Sequence, residues 1–267
     1  MLPCLRDHLH FKPLFGLLPI EPFGILVLIG VVVGYHLGKR RARLTGLDAE
    51  LCADGMYWTA ATGFVVAHLV SVIFYFPHRI RENPLVLLAV WSGLSSFGGF
   101  LGGILGAYYF FVIRHRVSLL KYADAIIFGL VPGWVFGRMG CTAVHDHPGL
   151  PTRFVLGVAC GAVPRHDLGL YELLFTLVLT ALLYGLRHVR PFHGFHPALI
   201  LALYAPVRFL LDYLRTADVR YGGLTPGQYF AVGILGFAVL LVAYGVRLRR
   251  RGDAPGLPAA ESSTTAG

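Results

Sequence analysis

The stretch IEPFGILVLIGVVVGYHLGKRRAR, residues 20–43, is apolar from Ile20 to Gly38 and then breaks into Lys39, Arg40, Arg41 and Arg43. An apolar run of roughly 20 residues is the length that crosses a bilayer. Lipid supplies no water to open backbone, so such a run is expected to be a helix. Working outward, comparable blocks recur at 56–76, 85–112, 122–140, 171–189, 196–212 and 227–246, which with 20–38 make seven predicted spans. Composition agrees: the 267 residues are 56% hydrophobic and 14% charged, where a soluble domain carries about a quarter charged residues. The expected fold is an all-α polytopic membrane protein, a single transmembrane domain over 1–250. A small, polar and disordered tail is expected at 251–267.

The basic residues orient the chain. Loops after spans 1, 3, 5 and 7 hold 13 Lys and Arg: Lys39, Arg40, Arg41, Arg43, Arg114, Arg116, Lys121, Arg187, Arg190, Arg247, Arg249, Arg250 and Arg251. The opposite loops hold 8: Arg6, Lys12, Arg79, Arg81, Arg153, Arg165, Arg215 and Arg220. The richer side is cytoplasmic by the positive-inside rule, so the N-terminus lies outside and the C-terminus inside. The net charge of +9 then reads as topology-setting charge beside anionic headgroups, with no nucleic-acid partner. No A-x-A-type cleavage site follows the first apolar run. Cys4, Cys52, Cys141 and Cys160 form no CxxC pair and no metal spacing, so they carry no expected disulfide. No metal and no cofactor are expected.

Polar groups inside the apolar blocks point to the site, because an ionisable side chain there is costly unless paired or wetted. Arg138 closes span 4, Glu172 opens span 5 and Arg208 sits within span 6. Arg208 and Asp212, spaced i, i+4, read as a structural ion pair. Arg138 is followed by GRMGCTAVHDHPGLPT (137–152), whose Gly140, Pro148, Gly149 and Pro151 are too irregular to face lipid. That segment is expected to line a protein-buried or water-filled cavity. The run SSFGGFLGGILG (95–106) repeats glycine at GxxxG spacing. It reads either as close helix packing or as bare backbone that a lipid headgroup can approach.

The chain resembles the bacterial prolipoprotein diacylglyceryl transferase family from its first span to its last. GRMG with Gly149, Pro151 and Thr152 resembles the signature beginning Gly-Arg-x-Gly-Asn and ending Gly-Arg-Pro-Thr. PRHDLGLYE (164–172) resembles its Pro-Arg-His-Pro-x-Gln-Leu-Tyr-Glu segment, and RFLLDYLRTAD with GGLTPGQ its last outer loop and the start of its final span. The resemblance implies transfer of a diacylglyceryl group from phosphatidylglycerol to the lipobox cysteine of a preprolipoprotein. It also implies the bacterial inner membrane, with the site near the periplasmic face. Arg138 matches the signature arginine and Arg215 the arginine of the last outer loop. Both would hold the phosphate of the leaving group as a fork, with Gly98, Gly99 and Gly149 beside the lipid.

The chain also departs from that pattern. Phe97 stands where the family has a histidine, Cys141 and Val144 where it has asparagines, and Phe23 where it has a tyrosine. The segment His145-Asp146-His147 is expected to resupply the lost acid–base pair, with a histidine beside a carboxylate titrating near neutrality. Other readings are a transferase serving another acceptor, a non-enzymatic lipid-binding membrane protein, and a metal-dependent hydrolase using His145 and His147.

Overall fold

The computed structural model describes residues 2–4, 22–89, 95–216 and 220–250, apart from the side chains at 74, 75, 96 and 97. The Phe97 side chain and the 251–267 tail therefore lie outside the described residues. The long helices are α1 (Pro22–Leu44), α2 (Ala49–Val70), α5 (Leu119–Val144), α6 (Leu168–Gly185), α7 (Phe195–Leu211) and α8 (Pro226–Arg250), with the short α3 (Pro77–Glu82) and α4 (Ser96–Ala107) between α2 and α5. Wider π turns extend α2 to Tyr75 and α4 to Arg114. Among the described residues, six helical segments are long and apolar enough to cross a membrane.

The third apolar run differs from its expected 85–112 span. Asn83 and Pro84 stop the chain there: the Asn83 side chain accepts from the Leu85 N–H, and Pro84–Leu88 winds as a 3-10 turn. Helix α4 starts only at Ser96, where the Ser95 Oγ accepts the Gly98 N–H. The apolar helix Gly98–Arg114 is consequently shorter than the other six.

Glycines set the helix pairs. Helices α1 and α5 are antiparallel and touch through backbone. A Cβ at Gly129 would lie 2.0 Å from the Gly34 carbonyl oxygen, and one at Gly133 would lie 2.6 Å from that of Gly30. Helices α2 and α4 meet the same way: a Cβ at Gly98 would lie 2.8 Å from the Val66 oxygen, and one at Gly102 would lie 2.7 Å from that of Thr62. Close packing, one of the two readings of the GxxxG run, accounts for both residues. Gly129→Leu should therefore force α1 from α5, costing about 1–3 kcal/mol or more from overpacking. Thermal unfolding in micelles should show a lowered midpoint; an unchanged midpoint would contradict the close approach. A second core joins α5, α6 and α7 through Phe128, Val131, Leu179, Leu183, Ile200 and Tyr204.

The bundle has two distinct ends. At one, Arg41 donates to the Arg187 carbonyl at 2.5 Å, and Asp124 accepts the Gly194 and His196 N–H groups at 2.7 and 3.1 Å. The other end carries a four-stranded sheet ordered β1 (Leu2–Pro3), β3 (Val158–Ala159), β4 (Arg165–Asp167) and β2 (Pro148–Pro151). Strand β1 runs parallel to β3, and the other pairings are antiparallel. This sheet brings Cys4 against Cys160, and they form a disulfide. The cysteine spacing gave no expectation of it, because 156 residues separate the partners and only the β1–β3 pairing joins them.

Candidate functional site

At the sheet-bearing end, α5, α6, α7 and the turn after α7 converge on one chain of charges. Arg138, near the end of α5, pairs through Nη2 with Glu172 in the first turns of α6. The other Glu172 oxygen takes Arg208 of α7 at 2.5 Å. Arg208 in turn reaches Asp212 at 2.9 Å, and Asp212 faces Arg215 at 3.6 Å. Among the described residues, three guanidiniums thus share two carboxylates. Glu172 is 1% exposed and Asp212 0%. Burial of either carboxylate is sustained only by its partners, since an uncompensated buried charge costs about 3–5 kcal/mol. The Thr225 hydroxyl donates to Asp212, and the Tyr204 hydroxyl to Glu172 at 3.5 Å.

The two arginines singled out in sequence therefore belong to one network without touching each other. The expected Arg208–Asp212 pair is present, and it is the middle of that network. Backbone completes the assembly: Gly149 forms a β-bridge with Arg215, and Arg165 donates to the Gly149 carbonyl at 3.1 Å. A Cβ on Gly149 would meet the Leu214 oxygen at 2.9 Å and the His166 Cβ at 3.0 Å, so glycine fits this crossing of two loops. Gly98 and Gly99 lie on α4 against α2.

The HDH segment divides. His145 ends α5 with φ at 48°, in the left-handed region, and its Nδ1 turns to Asp167 at 2.5 Å. Asp167 also caps α6, accepting the Leu170 N–H at 3.1 Å. Neither side chain of this pair is more than 8% exposed. His147 turns the other way, its Nδ1 against Asp146 and the ring within 4.8 Å of the Cys141 sulfur. Asp146 first, and Cys141 after it, hold His147 protonated up to about 9, against an ordinary 6.5. His147 is thus a cation at neutral pH and does not titrate near neutrality as expected from its neighbours in sequence. The two histidines also join different groups of candidate ligands, His147 with Cys141 and Asp146, His145 with the sulfurs of the Cys4–Cys160 disulfide. Among the described residues no His, Cys, Asp and Glu cluster brings His145 and His147 to one metal.

Asp167, Tyr204 and Thr225 were not singled out in sequence. Asp167 left a signal as an aspartate just ahead of an apolar helix, and Thr225 left one as the first residue of a Thr-x-x-Gln capping box, whose Thr225 and Gln228 side chains each accept the other's N–H. Nothing local marks Tyr204, which matters through a residue on another helix.

Fold and site together define a multi-pass helical membrane protein with a buried arginine–carboxylate network at one end of its bundle. The family model for prolipoprotein diacylglyceryl transferase matches residues 12–244, and the chain belongs to that family. The phosphatidylglycerol–prolipoprotein diacylglyceryl transferase of Chromohalobacter salexigens is 31% identical over 228 residues, covering 81% of this chain and 85% of that protein. The protein of the same name from Nitratidesulfovibrio vulgaris is 29% identical over 256 residues, covering 92% and 94%. That of Bordetella bronchiseptica is 30% identical over 230 residues, covering 81% and 87%.

Proposed function

We propose that the chain moves the diacylglyceryl group of phosphatidylglycerol onto the lipobox cysteine thiol of a preprolipoprotein, releasing glycerol phosphate, at the outer face of the bacterial inner membrane. The observation that carries this is the Arg138–Glu172–Arg208–Asp212–Arg215 network, which gathers three guanidiniums at one end of the bundle. Sulfur attacks an sp3 carbon and a phosphate ester leaves. The leaving group needs fixed cations, and the attacking thiol needs a base. Arg138 and Arg215 are the phosphate ligands in this reading, with Arg208 holding both carboxylates in place. His145, oriented by Asp167, takes the thiol proton. Protonated His147 adds positive charge beside the headgroup. Gly149 holds the two arginine-bearing segments together.

The charge bias supports the orientation: the end carrying Arg41 and Arg187 is the basic one, and a disulfide at the opposite end suits an oxidising compartment. A thiol introduced near Pro148 or Arg220 should accordingly react with an impermeant reagent added outside intact cells. Thiols near Arg43, Lys121 or Arg250 should not, and labelling near Arg43 would reverse the orientation. The function is tested by expressing the chain where the host's own transferase is shut off. Restored growth and lipid-modified lipoprotein are expected; lipoprotein left unmodified despite normal insertion would reject the transferase reading and favour lipid binding alone.

A further inference from the structure

The transfer reaction above makes no use of Cys141 as a nucleophile, yet its surroundings are those of one. It lies on α5 one turn beyond Arg138, and the Arg138 Nη1 is 4.0 Å from its Sγ. A ring nitrogen of His147 lies within 4.8 Å of the Cys141 sulfur, and the Nδ1 of that same ring meets the Asp146 carboxylate. The ligand-type atoms of Cys141, Asp146 and His147 all lie within 4.8 Å of one another. Nucleophile, imidazole and orienting carboxylate are thus in series, with a guanidinium at the sulfur. The nucleophilic form of a cysteine is its thiolate, which neighbouring cationic groups favour, and an imidazole oriented by a carboxylate completes the arrangement that activates a nucleophile.

We propose that Cys141, His147 and Asp146 form a second reactive centre in this site, one that takes an acyl group from the glycerol ester of a bound phospholipid. The proposal rests on the reading of Arg138 as a ligand of the lipid phosphate, which brings the ester carbonyls of the same glycerol near the sulfur. The Cys141 thiolate attacks the carbonyl carbon, and the carbonyl oxygen takes the negative charge beside Arg138. As the intermediate collapses, the carbon–oxygen bond to glycerol breaks and the His147 imidazolium protonates the departing alkoxide. The products are a thioester on Cys141 and a lysophospholipid. Water, deprotonated by the now neutral His147, then attacks the thioester, releasing fatty acid and restoring the thiol.

The test is acylation of the purified full-length protein in micelles by phosphatidylglycerol labelled in its acyl chains, read by mass spectrometry of the digested protein. The expected result is label on the peptide containing Cys141, released by neutral hydroxylamine and absent from Cys52, which is fully buried in the bundle. Cys141→Ser should lose the hydroxylamine-labile label, and His147→Ala should slow its appearance by about 10²–10⁴. Diacylglyceryl transfer to a lipobox peptide is measured on the same wild-type preparation. Transfer without label on Cys141 overturns the second centre and leaves the transferase reading intact. Label on Cys141 without transfer rejects the transferase reading and upholds the acyl chemistry. Equal labelling of Cys52, or an undiminished rate in folded His147→Ala, overturns the proposal.

Discussion

Arg138→Ala is expected to lower diacylglyceryl transfer by about 10²–10³, the usual effect of deleting one fixed donor to a developing negative charge, while the protein still inserts. The charge balance explains both halves. Glu172 keeps Arg208 at 2.5 Å when Arg138 is lost, so its buried carboxylate is not stranded. One of the fixed guanidiniums that would meet the phosphate is then gone. Arg138→Lys should recover only part of the rate, because an ammonium cannot grip phosphate as a fork. Arg208→Ala is the contrast. It strips partners from both Glu172 and Asp212, and its main effect should be loss of folded protein. Transfer to a lipobox peptide, normalised to protein in the membrane, separates the two outcomes. Wild-type turnover in Arg138→Ala would remove that residue from the site.

His145→Ala is expected to be the second severe variant, with a loss of about 10²–10⁴ for removal of a general base. The structure distinguishes it from its neighbour. His145 is buried against Asp167, whereas His147 carries its proton up to about 9 and cannot accept one from the incoming thiol at neutral pH. Replacing His147 should therefore cost the transfer reaction less than replacing His145, and the reverse order would exchange their roles. His147 also ties stability to pH. Its ionisation is raised in the folded state, so the Asp146 contact stabilises the fold fully below about 6.5 and fades as pH rises through about 9. The gap in unfolding midpoint between wild type and His147→Ala should be widest below that window and close above it. A gap that widens with pH would contradict the assignment.

Sequence alone determined that this is a helical membrane protein, because apolar blocks of bilayer length leave the backbone no other solution. It also determined the ion pair of Arg208 and Asp212, which lie one turn apart on a single helix. The family signature marked Arg138 and Arg215 as residues to examine, although roughly two helices of chain separate them. Only tertiary structure decided how they cooperate. Arg138 reaches Arg215 through Glu172, Arg208 and Asp212, a route that exists because α6 and α7 pack beside the end of α5. The same reason hid the disulfide, whose cysteines meet through a strand pairing across 156 residues. It also hid the split of the HDH segment. Adjacent residues share a sequence context, but the left-handed turn at His145 sends the two imidazoles to different carboxylates. Local pattern reports what one helix does with its own neighbours. The protonation and partners of a buried charge belong to whichever other elements surround it.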